Sequence, residues 1–159
     1  MQVVVIAVGK LKEKYWREAL AEYAKRLSAY VQLELIEVQD EPSPENLSEA
    51  GKDQVLRAEG ARIEKHLRDR DGIVVLDLNG KMLGSEAWSQ KYDDLCGQGF
   101  GRLVFIIGGS NGLDNAIRSR AHFCWCFGPI TLPHQLARIV LVEQIYRGIR
   151  IIRGEPYHK

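Results

Sequence analysis

The chain has 159 residues, 45% of them hydrophobic and 27% charged, with a formal net charge of +1. That length fits one domain and buries roughly 70% of the surface its unfolded chain exposes, so folding requires neither disulfide nor metal. The small net charge excludes a nucleic-acid binder held by bulk charge, and no apolar run approaches the roughly 18 residues of a membrane helix.

In chain order, VVVIAV (3–8) is a continuous β-branched run and predicts a strand buried on both faces. Trp16, Leu20, Tyr23 and Leu27 recur at helical steps and place an amphipathic helix at 13–29. VQLELIEV (31–38) is a second strand. The polar loop QDEPSPENLS leads into a charged helix over 49–70. IVVLDL (73–78) is a buried strand, closed by a turn at Asn79-Gly80. Ser85 is placed to cap a helix carrying Trp88, Tyr92 and Leu95. RLVFII (102–107) runs into GGSNG, a short helix follows at 113–120, and HFCWCF (122–127) is the fifth strand. The last helix covers 134–152. Strands that alternate with helices predict an α/β fold with a mostly parallel sheet flanked by helices, in one domain over 1–159.

On a helical wheel the last helix is apolar nearly all round, through Leu136, Ile139, Val140, Val142, Ile145, Tyr146 and Ile149. Such a helix must be covered on every side, and a homodimer interface is the expected cover, with complete burial within one chain as the alternative. Charge is uneven along the chain. Lys10, Lys12, Lys14, Arg17, Lys25 and Arg26 outweigh Glu13, Glu18 and Glu22 in the first thirty residues, while 31–71 is acidic and the segment from Arg138 is basic again. The alternatives are solvated faces, or a basic surface built from both chain ends and turned to an anionic partner. Cys96, Cys124 and Cys126 are odd in number and lack C-x-x-C spacing, so they read as reduced core thiols in the cytoplasm.

Two loops follow consecutive strands and should emerge at one sheet edge. Gly108 to Gly112 (GGSNG) is either a tight turn or a ligand loop. It lacks the G-x-G-x-x-G spacing and the later acidic residue of a dinucleotide site. FGPITLPHQLAR (127–138) puts Gly128, Pro129 and Pro133 into a short stretch that can continue neither a strand nor a helix. Its backbone is expected to be extended, with the amides and carbonyls of Ile130, Thr131 and Leu132 free to read the edge of a flat heterocycle between Ile130, Leu132 and Leu76. His66, His122, His134 and His158 show no metal-ligand spacing, and no metal is expected. Glu143 and Arg147 lie four apart, and with Arg150 they mark one side of the last helix as polar.

AVGKLKEKYWREALAEYAKRL, VVLDLNGK, FIIGGSNGL, TLPH and EQIYRGIRIIRGEPYHK together resemble the ribosomal large-subunit pseudouridine N3-methyltransferases, single-domain members of the SPOUT superfamily. The resemblance spans essentially the whole chain. It implies a C-terminal trefoil knot, a homodimer, S-adenosylmethionine as methyl donor and 23S ribosomal RNA as substrate. With so little net charge, the chain is expected to need the shaped surface of the assembled ribosome rather than naked RNA. By the same resemblance Leu76, Gly108, Phe127, Gly128, Pro129, Ile130, Thr131 and Leu132 bind the cofactor. Relatives often carry serine where this chain has Gly128, so a hydroxyl contact is absent there.

Methyl transfer to N3 requires in-line positioning, removal of the N3 proton and donors for charge developing on the base carbonyls. Tyr157, His158, Arg147, Glu143 and His134 are the polar residues expected to gather there. The tail from Glu155 to Lys159 is expected to order only on binding. Two competing functions are a nicotinamide-dependent oxidoreductase using 108–112, and a non-catalytic ribosome-associated RNA-binding protein of the same fold.

Overall fold

A computed structural model describes all residues from Met1 to Lys159. Five parallel strands, β1 (Gln2–Val8), β2 (Gln32–Val38), β3 (Asp71–Met82), β4 (Arg102–Ile107) and β5 (Phe123–Cys126), form one sheet in the order β2-β1-β4-β3-β5. The helices are α1 (Lys14–Leu27), α2 (Glu49–Glu64), α3 (Ser85–Cys96), α4 (Asn115–Arg118) and α5 (His134–Ile152). No helix is long and apolar enough to cross a membrane.

The two faces of the sheet follow the two-residue period of its strands. Val3, Val5, Ala7, Leu103 and Phe105 face one core with Leu27 of α1, Trp88, Tyr92 and Leu95 of α3, and Leu141, Val142 and Ile145 of α5. Val4, Ile6, Val8, Val104 and Ile106 face the other, with Ile63 of α2 and Ile117 of α4. Because every strand is parallel, their C-terminal ends open at one edge, where the β1–α1, β4–α4 and β5–α5 loops emerge.

Four expectations need correction. The strand expected to close at Asn79-Gly80 continues to Met82, because after an irregularity Lys81 and Met82 pair with Trp125 and Cys126 of β5. The charged helix ends at Glu64, not residue 70, since 65–70 form the turn into β3. Ser85 is not the cap of α3. Gly84 holds that position, and the Ser85 hydroxyl donates to Gln144 Oε1 on α5 at 2.7 Å. The helix expected over 113–120 spans only Asn115–Arg118.

The apolar circumference of α5 is largely covered within one chain. Val142, Ile145, Tyr146 and Ile149 are buried against the sheet, α1 and α3, and Ile139 is buried as well. Among the positions that stay half-buried, which also include Gln135, Gln144, Arg150 and Ile151, the residues Leu136, Val140, Glu143 and Arg147 form a stripe at four- and three-residue steps.

Candidate functional site

A cleft with a cavity volume of about 150 Å³ opens at the C-terminal edge of the sheet. Its walls are Leu76, Asp77 and Leu78 from the middle of β3, Ile107 at the end of β4 and Gly108 just after it, Trp125 from β5, Phe127, Gly128, Ile130 and Leu132 from the β5–α5 loop, and His134 and Ala137 from α5. Its mostly apolar lining, with a few polar groups at Asp77, Trp125 and His134, suits a flat heterocycle.

The loop from Phe127 to Pro133 contains no helix or strand, and none of the N–H groups of Ile130, Thr131 and Leu132 enters a backbone–backbone hydrogen bond. Gly128 turns the chain with φ +132°, a conformation that L side chains rarely adopt. The Cys126 thiol donates to Gly128 O at 3.2 Å and braces that turn. Six of the expected cofactor residues, Leu76, Gly108, Phe127, Gly128, Ile130 and Leu132, therefore share one cleft. Pro129 and Thr131 are exposed and stand outside its lining, contributing stiffness and backbone.

The glycine loop divides its work. Gly108 lines the cleft, and a Cβ there would stand 2.4 Å from Gly112 O, so only glycine fits. Residues 109–112 fold back on themselves, with Gly112 N donating to Gly109 O at 3.1 Å. The tight-turn alternative thus holds for 109–112. The following helix has four residues, too short to offer a pyrophosphate the terminus a dinucleotide site uses.

Two polar atoms in the lining residues are buried without a partner: Trp125 Nε1 and His134 Nδ1. Burial, and then the Arg138 cation, hold His134 below the ordinary imidazole value, which keeps the ring neutral. Unpartnered donors and acceptors in an apolar cleft are what a polar heterocyclic ligand would satisfy. Asp77 is held at the rim by Arg118, whose Nε lies 2.8 Å from Asp77 Oδ2.

The remaining polar residues form a second cluster on the C-terminal half of α5. Arg147 pairs with Glu143 at 2.6 Å and reaches His158 Nδ1 at 3.2 Å. The Tyr157 hydroxyl donates to Glu143 Oε1 at 3.0 Å, and the Arg147 guanidinium lies over the Tyr157 ring at 4.6 Å. Burial and the Glu143 carboxylate raise the Tyr157 phenol above its usual value, so it remains a donor. Tyr157, His158, Arg147 and Glu143 are thereby brought together. His134 is not with them, because nine residues of helix, about 13 Å, separate it from Glu143.

The expectation of a tail free until binding is corrected. Tyr30 on the segment after α1 donates to Glu155 Oε2 at 2.5 Å and accepts from Arg150 Nη1 at 2.7 Å, while Arg150 Nη2 donates to Pro156 O at 2.8 Å. Tyr157 packs edge-on to Tyr146 at 4.9 Å. The tail is docked on its own chain.

Sequence reasoning missed Asp77, Leu78, Ile107, Trp125 and Ala137 in the cleft. Periodicity held the signal for Trp125, since Phe123 and Trp125 alternate along β5 and Phe127 continues the step just past it, and for Ala137, one helical turn after His134.

Residues 1–158 match the sequence family described as "Predicted SPOUT methyltransferase". The chain is also similar to proteins named Ribosomal RNA large subunit methyltransferase H from two strains of Clostridium kluyveri. Each is 52% identical over 159 residues, covering 100% of this chain and 100% of the relative.

Proposed function

Because the chain belongs to the SPOUT methyltransferase family, we propose that it methylates N3 of a pseudouridine in large-subunit (23S) ribosomal RNA, on the assembled ribosome, with S-adenosylmethionine as donor. The observation that carries this reading is the proline-stiffened segment 127–132 facing Leu76 and Gly108 across one cleft. When bound, the donor supplies an electrophilic sulfonium methyl group. Leu76, Ile130 and Leu132 would grip its flat base, with free backbone amides of 130–132 reading the edge and Gly108 admitting the ribose. His134 would present a neutral imidazole to the reacting end, able to hold a proton at Nδ1.

The separation of the Tyr157–His158–Arg147–Glu143 cluster from the cleft leads to the rest of the proposal. A second copy packed on the half-buried stripe Leu136–Val140–Glu143–Arg147 would bring its tail cluster to this chain's cleft. There Arg147 would clamp phosphate or developing carbonyl charge, and Tyr157 and His158 would close over the base. The whole chain, 1–159, would act as one domain that carries the C-terminal trefoil knot.

Thermal shift tests the cofactor. S-adenosylmethionine and S-adenosylhomocysteine at 100 times their Kd should stabilise by about 2.7 kcal/mol, NAD should not, and Gly108→Ala should abolish the shift. Stabilisation by NAD alone would overturn the reading.

A further inference from the structure

The β1–α1 loop carries Lys10, Leu11 and Lys12 between Gly9 and Glu13, and an ion pair between buried Arg138 and exposed Glu37 holds it in place. Arg138, 2% exposed, donates through Nη2 to Val8 O at 3.0 Å and Gly9 O at 2.9 Å. Its Nη1 pairs with Glu37 Oε2 at 2.7 Å, and that same oxygen accepts the Leu11 amide at 2.9 Å. Arg17 closes the loop from the other side by donating to the carbonyls of Leu11 and Lys12. Leu11 is buried, whereas Lys10 and Lys12 on either side of it are exposed.

The two Nη atoms of Arg138 anchor the loop at Val8 O, at Gly9 O and, through Glu37, at the Leu11 amide, while its buried Nε has no partner. The loop contributes nothing to the lining of the cleft. It is nevertheless tied to the cleft wall. His134 and Arg138 are one helical turn apart on α5, and the position of a Cβ on Gly9 lies 3.6 Å from His134 Cε1 and 3.7 Å from Arg138 Nη2.

What the loop presents is charge. Lys14 pairs with Glu18 at 3.5 Å, but neither Lys10 nor Lys12 takes part in an ion pair. Their Cα atoms are at most about 7 Å apart, comparable to the step between neighbouring phosphates of a nucleic-acid strand. A chain with a net charge of +1 cannot draw RNA by bulk charge, so placed cations must supply the contacts.

We propose that Lys10 and Lys12 form a preorganised phosphate-docking ridge, which grips the RNA backbone beside the nucleotide presented to the cleft. This rests on the rRNA-methyltransferase reading. Arg138 and Glu37 are positioning residues: they hold the ridge in register with His134. The ridge contacts backbone only and contributes position rather than base identity.

The test compares wild type with Lys10→Ala/Lys12→Ala, Lys10→Arg/Lys12→Arg and a distant control, Lys25→Ala, in methyl transfer to ribosomes lacking the modification. The alanine pair should raise KM about tenfold with kcat nearly unchanged. The dependence of log kcat/KM on log salt should become shallower by about 1–2. The arginine pair and Lys25→Ala should match wild type, and calorimetry should give S-adenosylmethionine the same affinity in all four proteins. An unchanged KM and salt slope in the alanine pair would overturn the ridge while leaving the enzyme reading intact. So would a loss of cofactor affinity equal to the loss in kcat/KM. Failure of wild type to methylate these ribosomes would instead remove the reading on which the ridge rests.

Discussion

Trp125 of β5 lies flat against Trp88 of α3, with ring centroids 3.8 Å apart and planes 17° from parallel. Trp88 also donates from Nε1 to Gln144 O at 3.1 Å, and Phe127 meets Trp125 edge-on at 4.8 Å. One aromatic stack thus joins the floor of the cleft to α3 and α5. Trp125 is 2% exposed, so Trp125→Ala should destabilise by about 3–5 kcal/mol in urea unfolding. Cofactor affinity should fall with it, measured where the variant is still folded. A loss below about 1 kcal/mol would mean that the stack does not anchor the loop.

Glu59 on α2 is 5% exposed, with Oε1 unpartnered and Oε2 accepting the Glu41 amide at 3.1 Å. Burial pushes its carboxyl above the usual value. The folded chain therefore keeps this proton to a higher pH than the unfolded chain does. Stability from this group is present below the unfolded value and lost as pH rises through the folded one. Glu59→Gln cannot ionise. Its melting temperature should exceed that of wild type at neutral pH, with the gap closing as pH falls to about 4. A gap independent of pH would show that Glu59 titrates normally.

Assembly is best probed at Val140. Ile145 is fully buried within one chain, so Ile145→Asp should unfold the protein whether or not it dimerises. Val140 is half-buried on the stripe left open along α5. Val140→Asp should give a folded monomer by sedimentation, with methyl transfer lost and S-adenosylmethionine affinity reduced far less. A dimer of unchanged stability would remove α5 from the interface.

The contrast between these two positions shows what the sequence could carry. Helical periodicity placed α5 at His134–Ile152 and showed it to be apolar all round. It could not show that α1 and α3 cover most of that surface, since coverage comes from elements distant in the chain. Asn79-Gly80 is a strong local turn signal, yet pairing of Lys81 and Met82 with β5 carries the strand past it. Prolines and glycines placed the 127–132 loop because their backbone limits are local. Docking of the tail was invisible because it depends on Tyr30, which meets Arg150 and Glu155 only in the folded chain.

Removing Tyr157 through Lys159 deletes the Tyr146 contact, the Arg147 stacking and the hydrogen bond to Glu143. Stability should drop by about 1 kcal/mol, since an aromatic pair contributes about that much. S-adenosylmethionine affinity should hardly change, because no tail residue lines the cleft. Methyl transfer should fall at least about 100-fold, the usual loss for a positioned polar catalytic group. Full activity in the truncated protein would make the tail a structural brace alone.

The central claim is the reaction itself. Ribosomes from cells lacking the modification, incubated with the purified protein and methyl-labelled S-adenosylmethionine, give the most direct measurement, followed by mapping of the labelled nucleotide. Label is expected at N3 of one pseudouridine in the large-subunit RNA, dependent on Gly108 and on the tail cluster, with little label on a short isolated hairpin. Binding to the ribosome with no label transferred would contradict it and leave a non-catalytic RNA-binding protein of the same fold.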